Sequence, residues 1–293
     1  MQEYINKIIE GDTLQVLKQL PDNIIDLSIT SPPYNKQEKH KGWLVKNVKY
    51  DNYKDVKNEE EYKNEQIEIL NEIFRITKEG GSFFYNHKTR WEKGVMFHPI
   101  EWLLKSNWTI RQEIIWDRMI AANIRGWRFW QVDERIYWLY KPINNNKIGK
   151  ELESKHSLLT SIWRIAPEKN INHPAPFPLA LPLRIIHSIL NEDDGIVLDP
   201  YSGSGTTLLA AKLLNKNYIG IEISKDYIDL SSNRLNSFEN DRITAIEETS
   251  KHIVVKTFKQ RKDNGEYTGR HKKNYGTNKT ELNLFNEQNN NKE

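Results

Sequence analysis

The sequence contains no cysteine in its 293 residues. Disulfide bonds, cysteine-ligated zinc sites and cysteine nucleophiles are therefore excluded. Long hydrophobic runs are also missing: no stretch of about 18 apolar residues occurs, so no transmembrane helix is predicted. The first residues, MQEYINKIIEGD, do not show the basic and then apolar pattern of a secretory signal peptide. We therefore expect a cytoplasmic protein that has no membrane partner.

Basic and acidic residues are also nearly equal in number, so neither sign of charge is in large excess. Lysine and arginine number 43 against 40 acidic residues, which gives a formal net charge of +3. A balance this mild does not by itself indicate a nucleic-acid partner. No pairing of histidine with aspartate indicates a metal site, so no metal is predicted. The length accommodates one large α/β domain with additions, or two small domains.

Predicted helices and strands alternate in the last third of the chain. Residues 195–198 and 218–222 are apolar runs typical of buried strands, whereas residues 179–190, 206–214 and 225–235 have helical spacing. Strands that alternate with helices in this way are typical of βαβ units. The pattern therefore predicts an α/β fold built on a parallel sheet.

The first third of the chain begins with a helix or turn, followed by an apolar run at 24–29 that predicts a buried strand. Residues 36–65 are polar, charged and contain several tyrosines, and we interpret them as a long mobile loop. A helix is predicted over 66–77 and a strand over 82–86. The glycine pair that starts at Gly80 is expected to end the helix.

Two more strands are predicted at 110–116 and 135–140. Residues 141–170 then lose hydrophobic periodicity and include three successive asparagines, so they are interpreted as an insertion. The main domain is predicted to span 1–237. Residues 238–293 form a basic C-terminal extension, and its end is predicted to be disordered because it is polar and of low complexity.

A loop with two glycines follows the strand at 195–198 and opens the next helix. It reads Asp199-Pro200-Tyr201-Ser202-Gly203-Ser204-Gly205-Thr206. A P-loop needs lysine after its last glycine, where Thr206 stands, and a dinucleotide-binding fingerprint needs glycine or alanine at Leu208. The loop alone is equally compatible with a strand, turn and helix that bind nothing. Glu222, at the end of the next strand, favours a cofactor site, because a carboxylate there accepts hydrogen bonds from ribose hydroxyls.

A second motif, Ser31-Pro32-Pro33-Tyr34, comes directly after the strand at 24–29. Consecutive prolines fix a rigid loop at the carboxyl end of a strand, where α/β proteins bind ligands. The carbonyl oxygens of Ser31 and Pro32 can then accept hydrogen bonds from an amino group, and Tyr34 offers a stacking face for a planar base. The proline pair alone indicates only a proline-rich turn.

Together, and in this order along the chain, the two motifs resemble those of the amino-directed DNA methyltransferases, in the β, circularly permuted, subgroup. The resemblance covers residues 8–237. It implies a Rossmann-like fold with a mostly parallel, twisted sheet flanked by helices, S-adenosylmethionine as the cofactor and double-stranded DNA as the substrate. It also implies a role in restriction–modification beside a cognate endonuclease, without a stable complex, as a monomer or homodimer.

The resemblance further implies which residues bind the cofactor. Asp12 resembles the aspartate that contacts the adenine ring, and the segment that starts at His173 resembles the one that holds the methionine end. Tyr201 stands where the family commonly has phenylalanine, and it is expected to pack against the cofactor. The predicted set is Asp12, His173, Pro174, Phe177, Asp199, Pro200, Tyr201, Gly203, Gly205, Thr206 and Glu222.

The residue before the proline pair bears on the target base. In this family the cytosine-N4 enzymes usually have serine there, whereas the adenine-N6 enzymes usually have aspartate or asparagine. Ser31 therefore favours the N4 amino group of cytosine. A minority of adenine enzymes also have serine, and Asn35 is common after the adenine motif, so the N6 amino group of adenine stays open. Methylation of cytosine C5 is excluded, because that reaction needs a cysteine.

The same residues bear on other functions. A zinc deaminase is excluded, because its metal ligands include cysteine. Methylation of RNA or of a protein glutamine stays open, although the glutamine enzymes usually have asparagine where Ser31 stands. A protein that binds cofactor and DNA without activity is disfavoured by the intact Ser31–Tyr34 motif.

In the predicted mechanism the target base first leaves the duplex, because its amino group is inaccessible inside the stack. Ser31 Oγ and the Pro32 carbonyl hold the amino group, Pro33 keeps the loop rigid, and Tyr34 stacks on the base. The methyl group then passes directly to nitrogen. The rate enhancement comes from positioning and electrostatics rather than from covalent catalysis.

Arginines and tryptophans between the strands at 110–116 and 135–140 are predicted to contact DNA, because guanidinium groups bind phosphates and aromatic rings stack on bases. Trp116 and Trp138, on the predicted strands, are expected in the core instead. Residues 141–170 are the candidate for recognition of the target sequence. The predicted DNA-binding set is Arg118, Arg125, Trp127 and Arg128, with Lys259, Arg261 and Lys262 in the basic extension.

Overall fold

One large β-sheet forms the centre of the fold. The computed structural model describes residues 2–35, 57–121, 124–143, 160–168, 178–190, 195–250 and 263–265. The strands of the sheet are β1 (Lys7–Glu10), β2 (Ile25–Thr30), β3 (Thr77–His87), β6 (Thr109–Asp117), β7 (Asp133–Tyr140), β8 (Ile162–Arg164), β9 (Ile196–Asp199) and β10 (Asn217–Glu222). Two short strands, β4 (Arg90–Glu92) and β5 (Val95–Phe97), pair with each other in a separate hairpin.

The sheet is mostly parallel, as predicted. Its strand order is β1-β10-β9-β2-β3-β7-β6-β8. The first five strands in this order run parallel to one another. β7 lies antiparallel between β3 and β6, and β8 runs parallel to β6. The carboxyl ends of β1, β10, β9, β2 and β3 therefore lie at one edge, and the start of β7 lies at the same edge.

Helices cover both faces of the sheet. They are α1 (Thr13–Leu17), α2 (Glu59–Ile76), α3 (Ile100–Leu103), α4 (Ala180–Ile189), α5 (Thr206–Leu213), α6 (Lys225–Asn236) and α7 (Arg242–Ser250), with a 3-10 turn at Phe238–Asp241. Side chains of α4 to α7 pack on one face and those of α1 to α3 on the other. In β3, Phe84 joins the first layer while Phe83 and Tyr85 join the second, because successive side chains of a strand point to opposite faces.

The central strands and their helices match the sequence prediction to within one or two residues at most ends. β9 is apolar apart from its last residue and is buried throughout, as expected for a parallel strand covered on both faces. The predicted strands at 24–29, 110–116, 135–140 and 218–222 are confirmed as well. Trp116 and Trp138 lie in the core, also as predicted.

The glycine pair at Gly80 and Gly81 does not end a helix, so that prediction is wrong. α2 ends at Ile76, where Thr77 takes up an extended backbone, and both glycines lie inside β3. Gly80 has φ +76°, and a Cβ on Gly81 would lie 2.5 Å from the Thr77 Cγ2 atom. The register of β2 against β3 shifts at this point. The glycines therefore allow a bulge in a buried strand.

Two predictions about the first third of the chain also need correction. The predicted N-terminal turn is present at 2–6 and the helix at α1, but the edge strand β1 between them was not predicted. The predicted loop at 36–65 is helical from Glu59 onward, because Asn58 caps the first turn by accepting a hydrogen bond from the backbone N–H of Glu60. Three glutamates in that turn add favourable charge at the helix N-terminus. Residues 36–56 lie outside the described residues.

The insertion predicted at 141–170 contains part of the sheet. β8 pairs with β6 at the end of the strand order, and Trp163 at its centre is buried. The indole N–H of Trp116 in turn donates to the carbonyl of Ile165 at 2.8 Å. The flanking residues 144–159 and 169–170 lie outside the described part of the chain. A three-residue strand is too short to show an alternating pattern, so the sequence did not reveal it.

The compact main unit continues past the boundary predicted after residue 237. It spans Met1–Val254 and includes α7. α7 packs against α4 through an ion pair of 2.6 Å between Arg184, which is half-buried, and Glu248, which is buried. The second unit, Val255–Glu293, lies outside the described residues except for 263–265. Among the helices described, none is long and apolar enough to cross a membrane.

Candidate active site

The carboxyl edge of the parallel strands brings both sequence motifs together. Ser31 follows β2, and β9 and β10 end at Asp199 and Glu222. The short segment that begins at Gly11 follows β1. Open α/β sheets bind ligands at this edge, in the crevice beyond the strand ends. The predicted catalytic and cofactor residues that the structure describes therefore line one region of the molecule.

The glycine loop after β9 has the backbone geometry that glycine alone takes up easily. Gly203 and Gly205 have φ values of +48° and +75°. A Cβ on Gly205 would lie 2.6 Å from the Cβ atom of Ser231 on α6, so a side chain does not fit there. α5 begins at Thr206, directly after the loop. The loop therefore makes a sharp turn that aims the start of a helix at the edge of the sheet.

Glu222 holds this loop in place. Its carboxylate accepts hydrogen bonds from the backbone N–H groups of Gly203 at 2.8 Å, Ser224 at 2.9 Å and Ile223 at 3.0 Å. Burial raises the pKa of Glu222, and the three N–H donors act in the opposite direction. A residue predicted to bind ribose hydroxyls thus also fixes the loop that precedes α5.

Asp199 is fully buried and connects the two motifs. Its carboxylate accepts a hydrogen bond from Thr30 Oγ1 at 2.8 Å and another from the backbone N–H of Tyr201 at 3.1 Å. Burial raises the pKa of Asp199 to about 6, although the hydrogen bonds from Thr30 and Tyr201 act in the opposite direction. Thr30 directly precedes Ser31, so this contact joins the glycine loop to the Ser31–Tyr34 motif.

The segment after β1 is attached to the same loop. Asp12 is exposed and caps α1 by accepting a hydrogen bond from the backbone N–H of Gln15 at 3.1 Å. Thr13 Oγ1 donates to the Pro200 carbonyl at 2.8 Å, and Gly11 donates to the Glu222 carbonyl at 3.0 Å. His173, Pro174 and Phe177, predicted to hold the methionine end of the cofactor, lie outside the described residues.

Around Ser31, four polar side chains form one hydrogen-bonded cluster. Ser31 Oγ lies 2.6 Å from Tyr34 Oη, and Tyr34 Oη donates to Glu134 Oε2 at 2.9 Å. Asn86 Nδ2 donates to Tyr34 Oη at 2.9 Å and to Glu134 Oε2 at 3.0 Å. The ring of Tyr34 lies 4.6 Å from that of His87 and is buried. No sequence motif marks Asn86 or Glu134, because both reach Ser31 only through the strand pairing.

The backbone of the proline loop is fixed from α2. Tyr62 Oη donates to the Pro33 carbonyl at 2.8 Å and also contacts His87 Nε2 at 2.8 Å. Burial holds the pKa of His87 well below its usual range. Asn35 has φ +49°, and its side chain donates to the Lys57 carbonyl and accepts from the Lys57 N–H. These contacts support the rigid loop that the proline pair predicts.

The predicted DNA-contacting residues separate into two groups. Arg118 points inward and makes an ion pair of 3.1 Å with Glu134. Residues 124–130, which we call the aromatic loop, lie instead on the surface. In it Trp127, Phe129 and Trp130 are 57%, 98% and 64% exposed. The described ranges do not include Lys259, Arg261 and Lys262, so their positions stay predictions.

Arg128 is held against the hairpin of β4 and β5. Its guanidinium carbon lies 4.1 Å from the centre of the Trp91 ring and 5.8 Å from that of Trp127. Burial lowers the pKa of Arg128, and the nearby charge of Arg125 lowers it further. Guanidinium groups bind phosphates, so Arg125 and Arg128 stay candidates for contact with DNA. Phe129, which no sequence motif marks, is the most exposed large apolar side chain among the described residues.

This fold and the two joined motifs define a Rossmann-like methyltransferase with a permuted motif order. The chain belongs to the DNA methylase family N6_N4_Mtase, which matches residues 25–233. S-adenosylmethionine is the methyl donor of such enzymes. The described residues fit that cofactor, because the half-buried carboxylate of Glu222 lies at the strand end where such a group accepts hydrogen bonds from ribose hydroxyls, beside the glycine loop.

Characterised relatives share most of the chain. The Type II methyltransferase M.ScaI of Streptomyces caespitosus is 29% identical over 262 residues, covering 78% of this chain and 80% of that protein. The Type II methyltransferase M.BglII of Bacillus subtilis is 31% identical over 264 residues, covering 78% and 69%. Among solved structures, the cytosine-N4-specific PvuII DNA methyltransferase has a TM-score of 0.62 at 18% identity, covering 82% of this chain and 93% of that one. A complex of M1.HpyAVI with S-adenosylmethionine has a TM-score of 0.52 at 24% identity, covering 78% and 98%.

Proposed function

We propose that this DNA methyltransferase modifies the exocyclic N4 amino group of cytosine in duplex DNA, at one short sequence. The observation that carries the proposal is the neutral hydroxyl of Ser31, which is half-buried at the carboxyl end of β2 and joined through Thr30 to the glycine loop. The carboxylate or amide that adenine enzymes usually place there is replaced by a smaller side chain. Serine at this position is typical of the family's cytosine-N4 enzymes, which supports cytosine as the target.

The mechanism uses the acceptors of the proline loop. The amino nitrogen of a base is a poor nucleophile, because its lone pair is conjugated with the ring. Ser31 Oγ and the Pro32 carbonyl accept its two N–H bonds and favour a pyramidal nitrogen. The Pro33 carbonyl accepts a hydrogen bond from Tyr62, which supports the assignment of this role to Pro32 rather than Pro33. S-adenosylmethionine, when bound by the glycine loop, Asp199 and Glu222, would supply the methyl group for direct transfer, and the methylated nitrogen then loses one of its two protons to water.

Adenine N6 is the second candidate, and the residue that favours it in the sequence is Asn35. In the structure the side chain of Asn35 is engaged with Lys57, to which it donates and from which it accepts. Asn35 therefore has a structural reason to follow Tyr34 whichever base is methylated. This weakens Asn35 as an indication of adenine, so cytosine remains the favoured target.

We further propose that the aromatic loop contacts DNA near the site. The loop precedes β7, whose first residues lie at the same edge of the sheet as Ser31. Exposed aromatic rings stack on bases or insert between them, which supports a base that has left the duplex. Since the relatives M.ScaI and M.BglII are Type II methyltransferases, we assign the protein to a restriction–modification system.

Nucleoside mass spectrometry of DNA from cells that express the protein tests the assignment. Cells that express the Ser31→Ala variant serve as the control. We expect N4-methylcytosine with the native protein, little of it with the variant, and no 5-methylcytosine in either. DNA that contains N6-methyladenine and no N4-methylcytosine would overturn the cytosine assignment.

A further inference from the structure

We propose that Glu134 sets the direction of the hydrogen bonds around Ser31, so that the Ser31 hydroxyl can only accept a hydrogen bond from the target base. This inference rests on the proposed function, because it concerns how the same site selects an amino group. Glu134 is the second residue of β7 and is 7% exposed. Because β7 runs antiparallel to β3, its first residues lie beside the carboxyl end of β3, close to Ser31.

A count of hydrogens fixes the direction. The Glu134 carboxylate has only acceptors, whereas the Tyr34 hydroxyl has one hydrogen. That hydrogen lies on the 2.9 Å bond from Tyr34 Oη to Glu134 Oε2. The 2.6 Å contact between Ser31 Oγ and Tyr34 Oη must therefore use the hydrogen of Ser31. With its hydrogen committed, Ser31 Oγ presents only lone pairs to the site.

The amide of Asn86 is oriented by the same carboxylate. Its Nδ2 atom lies 3.0 Å from Glu134 Oε2, 2.9 Å from Tyr34 Oη and 3.3 Å from Ser31 Oγ. The reversed amide would place its oxygen 3.0 Å from a carboxylate oxygen. Asn86 Oδ1 has no hydrogen-bond partner among the described residues. An unpaired buried acceptor is costly, so the amide keeps this orientation because the alternative would set its oxygen against the Glu134 carboxylate.

Arg118 holds Glu134 in place. Its guanidinium donates to Glu134 Oε1 at 3.1 Å, which leaves Oε2 for Tyr34 and Asn86. The Arg118 side chain is only 16% exposed. The sequence predicted that Arg118 contacts DNA directly. We assign it instead to positioning of the active site.

The consequence is selectivity for a donor. An exocyclic amino group donates hydrogen bonds, whereas the ring nitrogen beside it in cytosine or adenine accepts them. A serine that cannot donate binds the amino group and not the ring nitrogen. It also accepts more strongly, because each bond in a chain of hydroxyls polarises the next. Glu134 and Arg118 are thus positioning residues that act through Tyr34 and Ser31.

The test is Glu134→Gln, with Glu113→Gln as the matched control. Glu113 lies on the neighbouring strand β6 and pairs with Arg135 on the surface. Glutamine can donate to Tyr34, which allows Tyr34 to donate to Ser31 and turns the Ser31 hydrogen toward the base. We expect kcat of Glu134→Gln to fall about 10- to 100-fold, less than for removal of a group that touches the base. The kcat of Glu113→Gln should be native, and the KM values of both variants should stay within about twofold.

The variant Tyr34→Phe separates this role from a structural one. It retains the ring but removes the hydroxyl that takes the Ser31 hydrogen, so kcat should fall even if Glu134→Gln does not fold. In that background Glu134→Gln should lower kcat by less than about threefold, because its effect passes through the missing hydroxyl. An unchanged kcat in a folded Glu134→Gln protein, or an equal effect in both backgrounds, would overturn the inference.

The product of the native enzyme keeps this result separate from the proposed function. If mass spectrometry shows N6-methyladenine, the cytosine assignment fails, but the effect of Glu134 on kcat should persist, because that target is also an amino group. If the product is N4-methylcytosine and Glu134→Gln has native kcat, the inference alone fails.

Discussion

The hydroxyl of Thr30 donates a hydrogen bond of 2.8 Å to the buried carboxylate of Asp199. Thr30 ends β2 directly before the proline loop, and Asp199 ends β9 directly before the glycine loop. The two residues lie on neighbouring parallel strands and are separated by 169 positions in sequence. The contact joins the proline loop to the glycine loop, which we propose as the methyl-accepting and cofactor sides of the site, and direct transfer requires the two sides to be held together.

Asp199→Asn should change how stability depends on pH. Burial raises the pKa of Asp199 from 3.8 to about 6 in the folded state. Its contribution to the free energy of unfolding is therefore fully present below about pH 4 and is lost as pH rises through 6. Relative to the native protein, Asp199→Asn should gain stability across this window, on the order of 2–3 kcal/mol, and the difference should be constant above about pH 7.

Urea unfolding of both proteins at several pH values, from about 4 to about 8, measures this difference. Comparison of the two proteins removes the contributions of all other carboxyl groups. A difference that does not vary with pH would show that the pKa of Asp199 is not raised by folding.

Glu222→Ala should weaken cofactor binding. The variant removes an acceptor for ribose hydroxyls and also the partner of three backbone N–H groups, including that of Gly203. We expect a decrease of about 1–3 kcal/mol in affinity for S-adenosylmethionine, measured by calorimetry. Glu239→Ala, which removes an exposed glutamate of the 3-10 turn, is the control and should bind normally. Native affinity in a folded Glu222→Ala protein would place Glu222 outside the site.

The aromatic loop should contribute to DNA binding without contributing to stability. Phe129 is almost fully exposed, so Phe129→Ala should change the free energy of unfolding by less than about 0.5 kcal/mol. If its ring stacks on or between bases, DNA affinity should fall by about 1–3 kcal/mol while cofactor affinity is unchanged. Fluorescence anisotropy with labelled duplex measures this decrease. Ile243→Ala, at an exposed apolar residue of α7, is the matched control, and equal affinities for the two variants would contradict a role for the loop.

The basic C-terminal extension should make DNA binding sensitive to salt. Each phosphate that the protein neutralises adds about 0.9 to the steepness of the fall in log K with log salt concentration. Removal of the residues after Val254, where the main unit ends, should therefore make this dependence shallower while the unit remains folded. The matched comparison is the full-length chain under identical conditions. Identical slopes would show that Lys259, Arg261 and Lys262 do not contact phosphates.

The parts of the fold that the sequence predicts correctly are those marked by patterns among residues that are close together in the chain. β9 and β10 are apolar runs that border the glycine loop, so both were predictable along with the cofactor loop between them. The proline pair likewise predicted the rigid loop after β2, whereas its catalytic role is a prediction that rests on the resemblance. β8 was missed because three residues show no period, and the glycines at Gly80 and Gly81 indicated a helix end where the structure has a bulge.

The hydrogen bonds and ion pairs that position the residues of the site were less predictable, because they join residues that lie far apart in the sequence. Tyr34 and Glu134 are 100 positions apart and meet only because β7 runs antiparallel beside β3. Arg118 has the same charge as a DNA-contacting arginine, and only its ion pair with Glu134 reveals that it turns inward. A local signal was available for α2, since Asn58 followed by three glutamates is a helix start.

The most direct test of cytosine-N4 methylation is methyl transfer by the purified enzyme from S-adenosylmethionine with a deuterated methyl group to unmethylated duplex DNA. The products are hydrolysed to nucleosides and analysed by mass spectrometry. We predict that the label appears as N4-methyl-deoxycytidine, and that Ser31→Ala binds the cofactor with native affinity but transfers the label much more slowly. Label found only in N6-methyl-deoxyadenosine, or native transfer by Ser31→Ala, would contradict the account.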